Sequence, residues 1–478
     1  MRRFFMAGWG LAACLCSGCG SWLQTPYERP TVALPDGWDA ARQMAPASSA
    51  SASDRSERVE GVARIQGVER SDTGRWWEVF GDAQLNSLLA RALARNADLA
   101  MAAIRVRRAQ LEAGLADTNL TPDATLRADG GVRKTLKDGA PSTRNYGLTL
   151  SLSYEIDLWG KLARTRDVAA WRAEATAFDR QGVMLSLVGT TAVLYWTIAE
   201  LNARIADAHA DIADARRLET MAAARHAAGA AADDEPAVAR RTLASRRALL
   251  EQLLQQREAQ RKALVVVLQD TLPEAVVARY VLPDGVVPAI AAGIPASVLA
   301  GRPDVAAAEA RIRANLAAYD ARRANFFPTL SLTGSVGGSS RDLGQVLSNP
   351  LGTLGGGLLL PVFNWNATRL AVGISRTEYE ESVVSFGKTL YQAFAEVDEA
   401  LAVCDSLARE ETHVGAAMQQ AAAVEAVSAV RYRAGKTNIR FWLDDQRALR
   451  EARAAVARNR LGRLRAHMSL YQALGGGV

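Results

Sequence analysis

Residues 81–270 and 287–476 of this chain read as two copies of one element, related by a constant offset of 206 positions. The offset carries Asp98 onto Asp304, Pro122 onto Pro328, Trp159 onto Trp365, Arg225 onto Arg431 and Gly229 onto Gly435. N-A-D-L-A at 96–100 matches R-P-D-V-A at 302–306, and R-H-A-A-G at 225–229 matches R-Y-R-A-G at 431–435. A period this long is not the roughly 20–50-residue repeat of a solenoid. It implies two pseudo-equivalent halves about a local axis, which suits a wall or a conduit better than one asymmetric cleft.

Proline placement decides the class of those halves. Of 15 prolines, none lies between Pro141 and Pro236 and none between Pro361 and Val478, while Ala, Leu, Arg and Glu dominate both intervals. A helix interior excludes proline at a cost of ~3 kcal/mol, so the intervals read as long helices. The net charge of +6 is spread as Arg/Glu mixtures and not as a basic stripe, which argues against a nucleic-acid surface. Three of the four cysteines, Cys14, Cys16 and Cys19, fall in the first 19 residues, so neither a disulfide framework nor a metal cluster is expected. Cys404 lies on a helical stripe with Phe394, Val397, Leu401 and Ala408 and reads as a packing residue. His209, His226, His413 and His467 show no ligand spacing. No metal site, cofactor or catalytic residue is assigned.

The N-terminus carries an export signal over residues 1–18: Arg2 and Arg3, an apolar run from Phe4 to Leu15, then Ser17 and Gly18 before Cys19. The ending C-S-G-C-G-S looks like a bacterial lipoprotein signal in which Cys19 is acylated; L-A-A-C at 11–14 makes Cys14 the alternative. Gly20 follows Cys19, with no aspartate to retain the lipoprotein in an inner membrane, so outer-membrane lipid is the expected destination. Residues 19–75 read as a lipidated linker, extended at P-Y-E-R-P (26–30) and disordered at the low-complexity P-A-S-S-A-S-A-S (46–53) within the Ser/Ala-rich 40–70 stretch. Order is expected from Trp76-Trp77, followed by a helix from about Ala83 to Asp117.

Pro122 and Pro328 each open a strand. Leu148, Leu150, Leu152, Tyr154 and Ile156 alternate with Gly147, Thr149, Ser151, Ser153 and Glu155; Leu330, Leu332 and Val336 alternate with small polar residues, and Leu354, Leu358, Leu360 and Val362 continue the theme. The runs approach the ~9–11 residues of a tilted transmembrane strand. The strands alone fit a soluble hairpin equally well. Their place in an exported chain, as one hairpin in each half, favours a membrane. No run of 18 consecutive apolar residues follows the signal, so a helical span is not expected. Four strands leave polar edges in lipid; two chains give a filled eight-stranded barrel and three a twelve-stranded one with a lumen.

Helical patterning runs from about Leu162 to Arg225 and from Thr368 to Arg431. Leu187, Thr191, Leu194, Ile198, Leu201, Ile205, Ala208, Ile212 and Ala215 step alternately by four and three, the spacing of a coiled-coil seam. Each long helix ends near a glycine, Gly229 or Gly435, and a second helix returns from Pro236 to Gln269 and from Asn438 to Leu474. The expected organisation is a first structural repeat at 76–275, a connecting segment at 276–300 and a second repeat at 301–478.

Y-E-I-D-L-W-G-K at 154–161 resembles the signature after the first strand pair of the outer-membrane efflux protein family, which is TolC-like and has a lipoprotein branch similar to OprM/NodT. G-I-P-A-S-V-L-A-G-R-P-D-V at 293–305, A-N-F-F-P-T-L-S-L-T-G at 324–334, P-V-F-N-W at 361–365, R-Y-R-A-G at 431–435, L-D-D-Q-R at 443–447 and L-Y-Q-A-L-G-G-G at 470–477 extend the match. The resemblance implies a mainly α chain with a small β part. Three chains would join four strands each in a twelve-stranded outer-membrane barrel, continued by an α-barrel of antiparallel coiled coils in the periplasm. It implies a periplasmic membrane-fusion adaptor and an inner-membrane pump, commonly of the resistance-nodulation-division type, with this chain as the passive exit duct. Matching L-D-D-Q-R onto the family motif places Asp444 at a constricting ring, with Arg440 and Arg447 as candidate partners. Asp233, Asp234 and Glu235 crowd the other helix turn and add negative potential. The plainer reading is that these acids complement a helix N-terminus, worth ~0.3–1 kcal/mol when exposed, and that Asp444–Arg447 is an ordinary i,i+3 pair.

Two other classes compete. An enzyme lacks support: there is no Gly-rich phosphate loop, metal spacing or nucleophile with a base. A coiled-coil scaffold lipoprotein conflicts with the apolar-faced strands. Within the channel class, the lipid anchor resembles the drug-efflux branch more than a type I protein secretion duct.

Overall fold

The computed structural model describes residues 23–32, 38, 75–134, 136, 142–230, 232–285, 287, 296–360 and 364–476. Cys14, Cys19, the 1–18 signal, the 40–70 stretch and Val362 lie outside the described residues. Helices α1 (Ala83–Arg95) and α2 (Ala97–Thr118) lead into strands β1 (Asp123–Arg133) and β2 (Thr143–Ile156). Helices α3 (Lys161–Ala227), α4 (Glu235–Leu268) and the single turn α5 (Glu274–Val277) follow. The second copy repeats the order with α6 (Pro303–Ala324), β3 (Thr329–Ser340), β4 (Leu351–Leu359), α7 (Trp365–Arg433) and α8 (Ile439–Ala473). The 206-residue offset superposes both ends of α2 on those of α6, the start of β1 on that of β3 and the end of α3 on that of α7.

The chain divides into two compact units, each drawing matching segments from both copies. The first takes Ala102–Asp179 and Asp304–Thr389, with residues 23–32 of its N-terminal segment. It holds one antiparallel sheet in the order β1-β2-β3-β4, so the two expected hairpins join through β2 and β3. Residues 23–32 are packed and not merely a linker, so order begins before Trp76. Asp320 accepts both the backbone N–H of Thr25 at 2.8 Å and its hydroxyl at 2.7 Å, and Arg29 pairs with Glu309 at 3.1 Å.

The second unit takes Ala33–Met101, Arg180–Pro303 and Leu390–Val478. Leu85 and Leu89 of α1, Tyr195, Trp196 and Ile198 of α3, Leu264 and Leu268 of α4 and Met468 of α8 form its core. Eight of the nine expected seam positions on α3 are buried, Leu194 only partly. Beyond the core, Leu201, Ile205 and Ala208 pack on Leu253, and Ile212 and Ala215 on Leu243 of α4. That contact is the coiled-coil seam read from the spacing.

Three expectations need correction. The helix expected from Ala83 to Asp117 is broken at Asn96, whose backbone is extended. Asn96 Oδ1 caps the Leu99 N–H at 3.0 Å while its Nδ2 donates to the Val267 carbonyl at 3.0 Å, so the capping residue starts a second helix. One 18-residue window of α3 is apolar enough by composition to cross a membrane, contrary to the sequence expectation. Half of that window is buried within the chain, and α3 supplies the Leu187–Ala199 part of the core, so it acts as a packing helix. On the α7 stripe, Cys404 is buried as read and burial pushes its thiol up to about 12, but Ala408 is exposed.

Candidate functional site

Because side chains alternate across a pleated strand and cross-strand partners share a face, the register assigns each residue of the sheet to one side. One row runs Ala124, Leu152, Gly334, Leu354; the next Leu126, Leu150, Val336, Gly352; a third begins Ala128, Leu148, Gly338. Towards the helices the same face carries Tyr154, Leu332 and Gly356, then Ile156, Leu330 and Leu358. Every residue in these rows is apolar, aromatic or glycine. The opposite face carries Thr125, Ser151, Ser335 and Thr353 in one row and Arg127, Thr149 and Gly337 in another, with Asp123 and Asp129 on the same side. Its hydroxyls bond across the strands, Ser335 to Thr353 at 2.5 Å and Thr333 to the Gly355 carbonyl at 3.4 Å.

The apolar face is open within the chain: Leu150 is 50% exposed and Leu354 90%. Aromatic residues gather where the strands meet the helices. Trp159 donates its indole N–H to the Pro328 carbonyl at 2.8 Å and stacks on Phe327 at 4.8 Å, while Trp365 packs on Phe326 at 4.6 Å. Offset-related Trp159 and Trp365 thus occupy equivalent places, as amphipathic rings do at a membrane–water boundary.

The second group of candidate residues surrounds the helix turns. Gly229 and Gly435 both have φ of +68°, the left-handed conformation that glycine adopts without a Cβ penalty. Ala230 N–H donates to the Arg225 carbonyl and Gly229 N–H to that of His226; Lys436 to Arg431 and Gly435 to Tyr432 repeat the pattern. This bonding closes a Schellman motif in both copies. Around the first turn, Arg225 pairs with Glu235 at 3.1 Å and donates to the Ala230 carbonyl at 3.0 Å. Asp233 lies 3.8 Å from His226, and Asp234 is the N-cap residue of α4 without a side-chain capping bond. Glu235 therefore serves the turn itself.

Asp444 lies in the second turn of α8, half-exposed, 3.6 Å from Arg447, which also reaches Glu451 at 3.6 Å. Arg440 is exposed and forms no ion pair with Asp444 among the described residues. The neighbouring Asp445 is bonded instead to Ser428 of α7, and Trp442 donates to Glu425 at 2.8 Å while stacking on Tyr432 at 5.1 Å. Asp444 is thus left facing away from the α7–α8 seam.

Two features were not legible in the sequence pattern. Arg450 of α8 reaches Asp211 and Asp214 of α3, each at 2.7 Å, with all three side chains largely buried. The carboxylates are one turn apart, but nothing local marks a partner 236 residues away. His467 is buried with no partner for Nδ1 among the described residues, and burial, with Arg463 nearby, pushes its pKa down to about 4. Its folded pKa lies below the unfolded 6.5, so its neutral form stabilises fully above about pH 6.5 and that contribution disappears as pH falls towards 4. Wild type is expected to lose about 3 kcal/mol more than His467→Gln between pH 7 and 4. Parallel pH curves from denaturant unfolding of the two proteins would refute that role.

Comparison with known proteins places this geometry in context. The model of the family described as outer membrane efflux protein matches residues 88–268 and 294–476. The pyoverdine export outer membrane protein OpmQ of Pseudomonas putida is 33% identical over 413 residues, 84% of this chain and 88% of that protein. Toxin and drug export protein A of Aggregatibacter actinomycetemcomitans is 28% identical over 409 residues, covering 84% and 88%. The solved Campylobacter jejuni CmeC outer membrane channel superposes with a TM-score of 0.79 at 22% identity, over 95% of each chain.

Proposed function

Since the chain belongs to the outer membrane efflux protein family, we infer that it works as a lipid-anchored homotrimeric exit duct passing small molecules to the exterior. Members of this family are outer-membrane channels and not enzymes; the chain is the outer-membrane component of a tripartite efflux system, alongside an adaptor and an inner-membrane pump. The observation that carries the trimeric reading is the four-stranded sheet, apolar along the five rows from Ala128–Leu148 to Ile156–Leu330 on one face and mostly polar on the other, with both edge strands free of further partners among the described residues. Three such sheets close a twelve-stranded barrel, which removes the edges and leaves room for a polar lumen. Exposed apolar residues Ile104, Leu111 and Leu115 on α2 support burial of that helix against a neighbouring copy. The periplasmic partner is then a membrane-fusion adaptor, and the pump one of the resistance-nodulation-division type.

Small-molecule efflux is favoured by the name of the pyoverdine exporter and by the lipoprotein-like signal. Passage of a protein toxin is the second reading, favoured by the toxin and drug export relative. Deleting the gene and measuring both dye accumulation and the secreted protein profile separates them. Raised dye retention with an unchanged profile is expected; the reverse would establish the second reading.

Two site proposals follow. Acylation at Cys19 predicts that Cys19→Ser abolishes labelling by a fatty-acid analogue; labelling lost only in Cys14→Ser would move the anchor. One acyl chain alone binds marginally, whereas several with a barrel hold firmly, so transport should survive the loss. At the gate, three copies of Asp444 about one axis form an acidic ring, steadied by Arg447 and flanked by Arg440. The acids Asp233, Asp234 and Glu235 add negative potential at the other turn. A narrow charged ring controls passage and ion preference, so Asp444→Ala should raise resting conductance and lower cation selectivity. Unchanged currents would place the constriction elsewhere.

A further inference from the structure

The end of the sheet away from the helices carries a second surface. Tyr146 stands ten positions along β2 from Ile156 on the same face (156 − 146). Its ring covers Gly130 of β1, 3.2 Å from where a Cβ would stand. At ~3.3 Å per residue and a strand tilt of roughly 40°, the separation from Ile156 is about 25 Å along the membrane normal. It matches the height of the apolar band of an outer-membrane barrel, which aromatic residues flank at both interfaces. Trp159 and Trp365 then mark the inner boundary and Tyr146 the outer one. Arg144 is the next residue beyond Tyr146 on that face, opposite exposed Val132.

The connection from β3 to β4 folds onto the same face. Gly338 lies beside Leu148 on the apolar side, and there is no room there for a Cβ, which would overlap the Val346 carbonyl oxygen. Val346 is buried, whereas Leu343 and Leu347, which flank it in sequence, are 71% and 65% exposed. The 3-10 turn at Leu343–Gln345 satisfies its own backbone: Gln345 N–H donates to the Asp342 carbonyl at 3.1 Å, and Ser348 N–H to that of Gln345 at 3.1 Å. Internal bonding of this kind is what a segment against lipid requires. Arg341 stands where the chain leaves β3 for this turn, with the Asp342 N–H bonded to the Ser340 hydroxyl at 3.2 Å. Arg144 and Arg341 are exposed, and neither forms an ion pair among the described residues.

An arginine at headgroup depth on the lipid side of a barrel meets phosphate, which its planar fork can hold through two parallel hydrogen bonds. A pair of arginines beside exposed leucines matches a lipid that carries more than one phosphate and several acyl chains. We propose that this rim binds lipid A of the outer leaflet, its phosphates on Arg144 and Arg341 and its acyl chains against Leu343 and Leu347. The surface rests on the outer-membrane placement of the sheet and is separate from the conduction pathway. Arg133, the neighbour of Val132 on β1, stands at the same height on the polar face and serves as its counterpart.

Native mass spectrometry of the full-length detergent-purified protein tests it, with lipid A and phosphatidylglycerol as the probes. Both are anionic, but phosphatidylglycerol carries a single phosphate. Wild type should retain lipid A preferentially. Arg144→Gln should weaken lipid A retention about tenfold, the loss of one charge-assisted hydrogen bond, and adding Arg341→Gln should weaken it further. Arg133→Gln should leave it unchanged. Equal retention of the two lipids by wild type, or equal loss in Arg133→Gln and Arg144→Gln, would overturn the proposal. Unitary currents of the same proteins in a bilayer free of lipid A report separately on folding and on the duct. Conduction without lipid A preference rejects the rim site alone, whereas loss of both rejects the membrane reading with it.

Discussion

Leu150→Arg is expected to deplete the protein from the outer membrane, while Ser151→Arg leaves insertion near wild type. The two residues are adjacent on β2, so backbone, strand propensity and distance from the membrane boundary are shared. They differ in face. Leu150 stands between Leu126 and Val336 on the apolar side, and Ser151 between Thr125 and Ser335 on the polar side. An arginine at a lipid-facing position near the bilayer midplane costs about 2–4 kcal/mol, whereas lumen positions tolerate charge. That cost recurs in every chain of an oligomer. Heat-modifiable oligomer in outer-membrane fractions is the readout, and equal depletion by the two variants would mean that neither face of the sheet meets lipid.

That contrast is legible in the amino-acid sequence alone, because period-two alternation and the strand-opening Pro122 and Pro328 mark the faces. The order in which strands pair is not: β2 meets β3 although the paired Ile156 and Leu330 are 174 positions apart (330 − 156). Glycines 229 and 435 are legible as helix ends because the left-handed turn leaves a residue-type signature. Asn96 carries no comparable mark of a helix break, since its second partner, Val267, is distant in sequence. The packing of residues 23–32 is hidden for the same reason, as Thr25 and Asp320 lie 295 positions apart. Motif matching singles out Asp444, and the structure places it beside Arg447. Local spacing gives no sign of the link from Arg450 to Asp211 and Asp214.

Arg450→Ala should strongly destabilise the second unit. Arg450 Nε donates to Asp211 at 2.8 Å and Nη2 to Asp214 at 2.7 Å, and the three side chains are 15%, 15% and 13% exposed. Burial opposes the arginine's charge, but hydrogen bonds to Asp214 and Asp211 outweigh it and raise its pKa. Truncation leaves two neighbouring carboxylates without their shared cation. Removing one partner of a buried ion pair typically costs about 3–5 kcal/mol. Arg246 and Arg217, each 3.7 Å from one of the carboxylates, offset part of it and favour the lower end of that range. Arg450→Lys should recover only a fraction, because a point charge cannot span two carboxylates as a planar fork does. Denaturant midpoints should therefore rank wild type, lysine, alanine; an alanine variant as stable as wild type would show that the clamp contributes nothing. Since α3 and α8 come from different copies of the duplication, the clamp also couples the two halves.

Three such chains would enclose a water-filled duct through the membrane. Purified full-length protein reconstituted into a planar lipid bilayer tests it most directly. Stable, long-lived unitary currents are expected, small at rest and increased by Asp444→Ala. Folded, membrane-inserted protein that yields no unitary current in either form would contradict it.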